Sequence, residues 1–432
     1  MKPLIRLTLI TTLFSLTACT GLLKPKDGLS LESNIEQSDP SKDQSKPEYT
    51  DFDLEKDTLF DLLVAEVAAQ RSQYSITLLN YIQQARMTRD PAIIRRAINA
   101  SQLLKDFEAI EDLSLLWTEV EPDSIPAHQL LAFQYSLQKE YQQAVVHIDK
   151  IIELGGEARI DSLAVSSHPL PKNEKQVLLG LYHDLYEKYP DNHEVGYSYA
   201  LIQRNLDLYD EALATLAPIL SSKPEFEPPS ILKANVLYDQ GKLDEAIEYA
   251  AAKFDDFPKN HNLGRLYASM LIEKKELDKA ESVFKSLMDL YPQAPSLKLS
   301  YALVMLENNK IEQASAQFHE LITQGVHANE ANFYLGRIAD SQEQPEQAIE
   351  FYSKVGASSH FEASIERASF LLVRSGQTEE MVTRLTALRA VHPSKALKLW
   401  LLQVKLLSGI RDRERLMQSL DEAITLYPND EQ

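Results

Sequence analysis

The chain of 432 residues carries 44 Lys and Arg against 64 Asp and Glu, a formal charge of −20, with 44% hydrophobic and 8% aromatic residues. Only 13 Gly are present, too few for a fold rich in phosphate-cradling loops or tight β-turns, and the single Cys excludes an internal disulfide, a thiolate zinc site or a Cys-x-x-Cys redox pair. The acidic balance repels nucleic-acid phosphate, so a nucleic-acid partner is not expected.

Residues 1–18 read as a secretory leader. Lys2 and Arg6 give the positive start, and an apolar run follows from Leu7 to Leu16, too short to span a bilayer. It ends in Leu16-Thr17-Ala18-Cys19, which resembles the bacterial lipobox, and the one Cys of the chain stands where that motif requires it. The resemblance implies cleavage before Cys19, acylation of its thiol and new amine, and anchoring to the periplasmic face of the outer membrane, because Thr20 rather than Asp follows. Two acyl chains suffice for stable anchoring. Residues 19–56 are rich in Ser, Lys, Asp, Pro and Gln and read as a disordered tether. Such a tether has a root-mean-square reach of roughly 30–36 Å.

From residue 57 to 432 the apolar pattern is helical, and a repeat sets its period. Acidic-x-Ala recurs as Asp210-Glu211-Ala212, Asp244-Glu245-Ala246, Asp278-Lys279-Ala280, Glu312-Gln313-Ala314 and Glu346-Gln347-Ala348, with the alanines 34 residues apart. Ala144 lies two periods upstream of Ala212. Twelve residues before each stands a small residue: Ala132, Ala200, Ala234, Ala268, Ala302 and Gly336. Four after comes a large apolar one (Ile148, Leu216, Phe284, Phe318 and Tyr352), with Ala250 the exception. Twelve after, a proline ends the second helix at Pro224, Pro258 and Pro292.

The same frame places Pro122 with Ile110 and Pro190 with Leu178, then slips by one to give Met381 with Pro393 and Leu416 with Pro428. Two units depart from it. The first, around Tyr74 and Tyr81, is out of frame by about one residue. The one after Gly155-Gly156 is read with a short first helix and a break at His168-Pro169-Leu170-Pro171.

This pattern resembles the tetratricopeptide repeat. The reading is an all-α protein, an α-solenoid superhelix of about eleven tetratricopeptide-type hairpins, in which the small residues mark the closest approach of paired antiparallel helices. No catalytic motif accompanies it: no G-x-S-x-G, Walker loop, H-E-x-x-H or G-x-G-x-x-G. The ten His are scattered, the pairs Asp255-Asp256 and Glu379-Glu380 read as solvated helix ends, and Trp117 and Trp400 as packing residues. No enzyme activity, metal or cofactor is expected.

A solenoid binds through the face that its first helices line. Counting three before, one after and four or five after the small residue predicts a partner-binding groove. Its members are Tyr197, Leu201, Arg204, Asn205, Asn235, Tyr238, Arg265, Ser269, Leu303, Phe333 and Arg337, extended by Ile231, Asp239, Ile272, Leu299, Leu306 and Asp340. The mixture suits an apolar or amphipathic peptide.

Further residues narrow the family. They are 59–71 (LFDLLVAEVAAQR), 80–85 (NYIQQA), Thr88-Arg89-Asp90-Pro91 with Arg96-Ala97, and the Gly155-Gly156 unit with Lys188-Tyr189-Pro190-Asp191-Asn192. Through them the chain resembles bacterial tetratricopeptide-repeat outer-membrane lipoproteins, in particular the adaptor lipoproteins of a periplasmic carboxyl-terminal processing protease. The resemblance implies a non-enzymatic scaffold that docks the protease and presents peptidoglycan hydrolases to it. The other reading is an envelope assembly factor, pilotin-like or a secretion or exopolysaccharide scaffold, carrying one subunit in the groove.

Overall fold

The computed structural model describes residues 56–156 and 160–426. The leader, Cys19, nearly all of the tether and Pro428 lie outside the described residues. Among those described there are twenty-two α-helices, one 3-10 turn and no strand. The sequence pairs them as predicted, and the fold is the all-α tetratricopeptide-type solenoid class. The helices fall into two compact units that divide between Lys242 and Leu243.

The first unit holds α1 (Lys56–Gln70), α2 (Tyr74–Thr88), α3 (Pro91–Leu104), α4 (Phe107–Val120), α5 (Ile125–Leu137), α6 (Tyr141–Glu153), α7 (Ile160–Ser166), α8 (Lys172–Lys188), α9 (His193–Asn205), α10 (Tyr209–Ser222) and α11 (Glu227–Asp239). Ala132, Ala144, Ala200, Ala212 and Ala234 are all buried, as close helix approach requires. The frame shift of the first pair resolves into Ala65 facing Thr77, whose hydroxyl donates to the Ala65 carbonyl at 3.2 Å. These two stand twelve residues apart, as the small pairs elsewhere do. In the pair after Gly155-Gly156, the described part of α7 is the seven residues Ile160–Ser166. The buried Tyr182 of α8 donates its hydroxyl to the Ile160 carbonyl at 2.7 Å and pins it.

The second unit holds α12 (Leu243–Asp256), α13 (His261–Glu273), α14 (Leu277–Leu290), α15 (Pro295–Glu307), α16 (Ile311–Thr323), α17 (Ala328–Ser341), α18 (Pro345–Ser353), α19 (Phe361–Arg374), α20 (Thr378–Val391), α21 (Ala396–Ile410) and α22 (Arg413–Leu426). Ala246, Ala268, Ala280, Ala302, Ala314 and Ala348 are buried, and Phe284, Phe318 and Tyr352 fill the space beside them. The one-residue slip after Ala348 has a visible cause: α18 stops after nine residues.

Prolines 122, 190, 224, 258, 292 and 393 each stand two residues past a helix end, where the missing N–H costs nothing. Trp117 and Trp400 are buried packing residues. Asp255, Asp256, Glu379 and Glu380 are exposed.

One regularity was not read from the sequence. Turns inside the pairs place a residue in the left-handed region at Lys105, Lys139, Asp207, Gly241, Lys275, Asn309 and Glu343. The N–H after it then bonds back five residues, as in Glu140 to the Tyr135 carbonyl at 2.8 Å and Lys310 to the Met305 carbonyl at 2.8 Å. This closes the helix end on orphan carbonyls. Most of these residues are not glycine, so composition concealed the turn.

Candidate functional site

The predicted groove residues all lie on the first helices of their pairs, α9, α11, α13, α15 and α17, but they do not all remain available. Leu303 is 1% exposed and Leu201 8%, and Leu299 and Ile272 are likewise buried. These are corrections. On a helix flanked on both sides, these aliphatic side chains, whether three before, one after or four after the small residue, turn into the packing between helices, because burial is worth roughly 25 cal/mol per Å². They belong to the core.

Asn205 is also reassigned. Its amide donates to the Ser167 hydroxyl at 2.9 Å, and its carbonyl accepts from Lys175 Nζ at 3.1 Å. It therefore fastens the His168–Pro171 break to α9. Arg204 is spent on Asp239, Nε to Oδ2 at 2.6 Å, and Asn235 donates to the Ile231 carbonyl one turn back at 2.9 Å. Ser269 does the same to Leu266 at 2.7 Å.

Tyr197 is half-buried beside Phe226, ring centroids 6.1 Å apart, and its burial pushes the phenol pKa up, with Asp161 adding to it. Tyr238 is half-buried on α11. These, with Arg204 and Asn235, are the first unit's contribution.

In the second unit Phe333 stacks on His360, 4.3 Å between centroids and nearly coplanar. Arg337 lies over the Phe333 and Tyr334 rings at 5.9 and 5.7 Å. Asp340 is locked in a bidentate pair with Arg367, which holds that guanidinium in its charged form. Arg265 on α13 is half-buried, and burial is the sole cause of a downward shift in its pKa.

Sequence reasoning missed the polar links between successive pairs. Asp340 and Arg367 are 27 residues apart, Arg204 and Asp239 35, and Lys310 reaches back to Asp278 at 3.0 Å and Glu281 at 2.9 Å. The recurring separation of about one repeat is the signal that would have found them. It also missed His128 and His147, whose Nδ1 atoms are 2.8 Å apart. His128 Nε2 contacts the Pro122 carbonyl at 2.9 Å. A carbonyl only accepts, so His128 donates there and its neutral Nδ1 accepts from His147. Burial first, then His128, lowers the His147 pKa to about 4.

No group of three or more His, Cys, Asp or Glu that could hold a metal ion is found among the described residues. No described helix is long and apolar enough to cross a membrane. What the helices offer chemically is surface: aromatic rings, a few guanidiniums and half-buried amides held in repeating register.

Tetratricopeptide repeat family models match residues 237–298 and 302–360. The crystal structure of a tetratricopeptide repeat protein from Parabacteroides merdae covers 64% of this chain and 98% of its own, with TM-score 0.38 and 14% identity. The yeast Tom70 crystal structure covers 86% and 93%, with TM-score 0.35 and 13% identity. The TPR repeat-containing protein PA4667 of Pseudomonas aeruginosa is 38% identical over 427 residues, 98% of this chain and 71% of that protein. At that identity and coverage, the chain belongs to the same family of tetratricopeptide repeat-containing proteins.

Proposed function

We propose that this protein is a non-enzymatic adaptor, lipid-anchored through Cys19 on the periplasmic face of the outer membrane. It holds a carboxyl-terminal processing protease together with peptidoglycan-hydrolase substrates and so promotes their degradation. The observation that carries the scaffold part is the register of half-buried side chains on first helices within each unit, Tyr197 and Tyr238 in the first and Arg265, Phe333 and Arg337 in the second, on a fold built from nearest-neighbour packing. The protease and hydrolase rest on the resemblance carried by residues 59–71, 80–85 and 188–192, and the anchor on the sequence around Cys19.

The physical gain is proximity. Holding enzyme and substrate on one tethered body replaces a bimolecular encounter with a local concentration of up to about mM. A pull-down from envelope extract with the acylated chain in mild detergent recovers a serine-type processing protease, and hydrolases accumulate when the gene is deleted. Loss of pili or exopolysaccharide with normal hydrolase levels would favour the assembly factor instead. Replacing Arg337 with Ala leaves helicity unchanged and weakens partner recovery; unchanged recovery removes that residue from the binding face.

A further inference from the structure

Most cations that are drawn out of water in this protein have an acidic or aromatic partner. Arg204 has Asp239, Arg367 has Asp340, Arg384 has Glu380, Arg389 lies over Trp400, and Arg337 lies over Phe333. Arg265 differs. It is half-buried, and among the described residues it makes no ion pair, hydrogen bond or ring contact. Its helix supplies no acid within a turn on either side, since positions 261 to 269 read HNLGRLYAS. Leu299, the same register position in the next pair, is a buried hydrocarbon.

Withdrawing a guanidinium from water without compensation is costly, and folded chains seldom retain one unless something meets it. One turn away on the same face stand His261, which can donate, and Ser269, whose proton already serves the Leu266 carbonyl, with no carboxylate between them. The formal charge of −20 does not oppose an acidic ligand here, because charges beyond about 8 Å are screened at physiological salt. A planar fork with its donors free matches one chemistry best: a carboxylate held by two parallel N–H···O bonds.

We propose that Arg265 is the specificity position of the binding face and takes the side-chain carboxylate of an Asp or Glu in a protein partner. The inference rests on the reading of the chain as a protein-binding scaffold, but not on which protein is bound. Partner segments are then selected by an acid at one fixed position, with neighbouring residues contributing fit rather than choice.

The test uses the full chain and an array of N-acetylated, C-amidated nonapeptides with the central five positions varied. The wild type retains peptides with Asp or Glu at one position over their Asn or Gln counterparts by about tenfold, as a charged hydrogen-bonded pair requires. Arg265→Gln abolishes that preference with an unchanged thermal midpoint, Arg265→Lys reduces it, and Arg374→Gln, an exposed arginine on α19, leaves it intact. The proposal is overturned if the wild type retains no peptide or shows no acid preference, or if Arg265→Gln keeps it. A second array with free C-termini decides the source: selection only of the terminal carboxylate also overturns the side-chain assignment. Because no protease enters this experiment, its failure and the failure of the adaptor reading are read separately.

Discussion

Gly336→Ala is the most exacting single-atom-group test of the packing logic. At Ala132, Ala200, Ala234, Ala268 and Ala302 the helix-A position is already alanine, so the change would restore the repeat's own preference and gain about 0.8–1.0 kcal/mol of helix propensity. The added Cβ, however, would lie 2.8 Å from Cδ1 and Cε1 of Tyr352 and 3.0 Å from its Cγ. Ordinary contact begins near 3.4 Å, so the ring must retreat by about 0.6 Å.

Tyr352 is 3% exposed, and Phe333 and Ala348 pack around it, so it has nowhere to swing. Overpacking of this kind costs about 1–3 kcal/mol. The cost matches or exceeds the propensity gain, and the net effect is a loss of about 0–2 kcal/mol, localised to α17 and α18. Urea unfolding followed by circular dichroism, with amide exchange read on those two helices, measures it. Trimming the ring in the double variant Gly336→Ala/Tyr352→Leu should cancel the clash and show coupling of opposite sign. If Gly336→Ala alone stabilises the protein by its full propensity, close approach at this position is not what glycine serves.

Ala280→Trp, at a fully buried contact between α13 and α14, is expected to lose at least about 1–3 kcal/mol, with exchange accelerated in those helices before distant ones. His147 has its pKa lowered to about 4 from an ordinary 6.5. The folded state therefore resists protonation that the unfolded chain accepts. Stability should be complete above pH 6.5 and fall as pH drops towards 4, by well under the roughly 3 kcal/mol a fully buried ring would lose, because solvent screens this partly exposed one. His147→Gln, which still donates to His128, should flatten that slope in urea midpoints taken at pH 7 and 4.5, and an unchanged slope refutes the assignment. Glu343→Gly removes a side chain from a left-handed turn at φ 60° and should stabilise by about 0.5–1 kcal/mol; a loss would show that chain entropy outweighs the strain.

Most of the fold was legible because its determinants are local. A 34-residue spacing of small residues, a bulky residue four positions on and a proline twelve on specify a hairpin without reference to anything distant, and Ala144, Ala212, Ala280 and Ala314 are all buried where the spacing put them. The binding face was legible only as a set of positions. Leu201 and Leu303 share their register with Asn235 and Arg337, and periodicity alone does not separate a core side chain from a presented one.

The sequence by itself thus determined the repeat, the pairing of helices and their ends, since each depends on sterics within about one period. Tertiary structure decided which of the predicted side chains are already spent. Asn205 on the α7–α8 break, Arg204 on Asp239 and Asp340 on Arg367 are bound by groups 27 to 38 residues away, and Arg265 is left without one. Charge pairing depends on distance in space, which stacking sets and a one-dimensional period does not record.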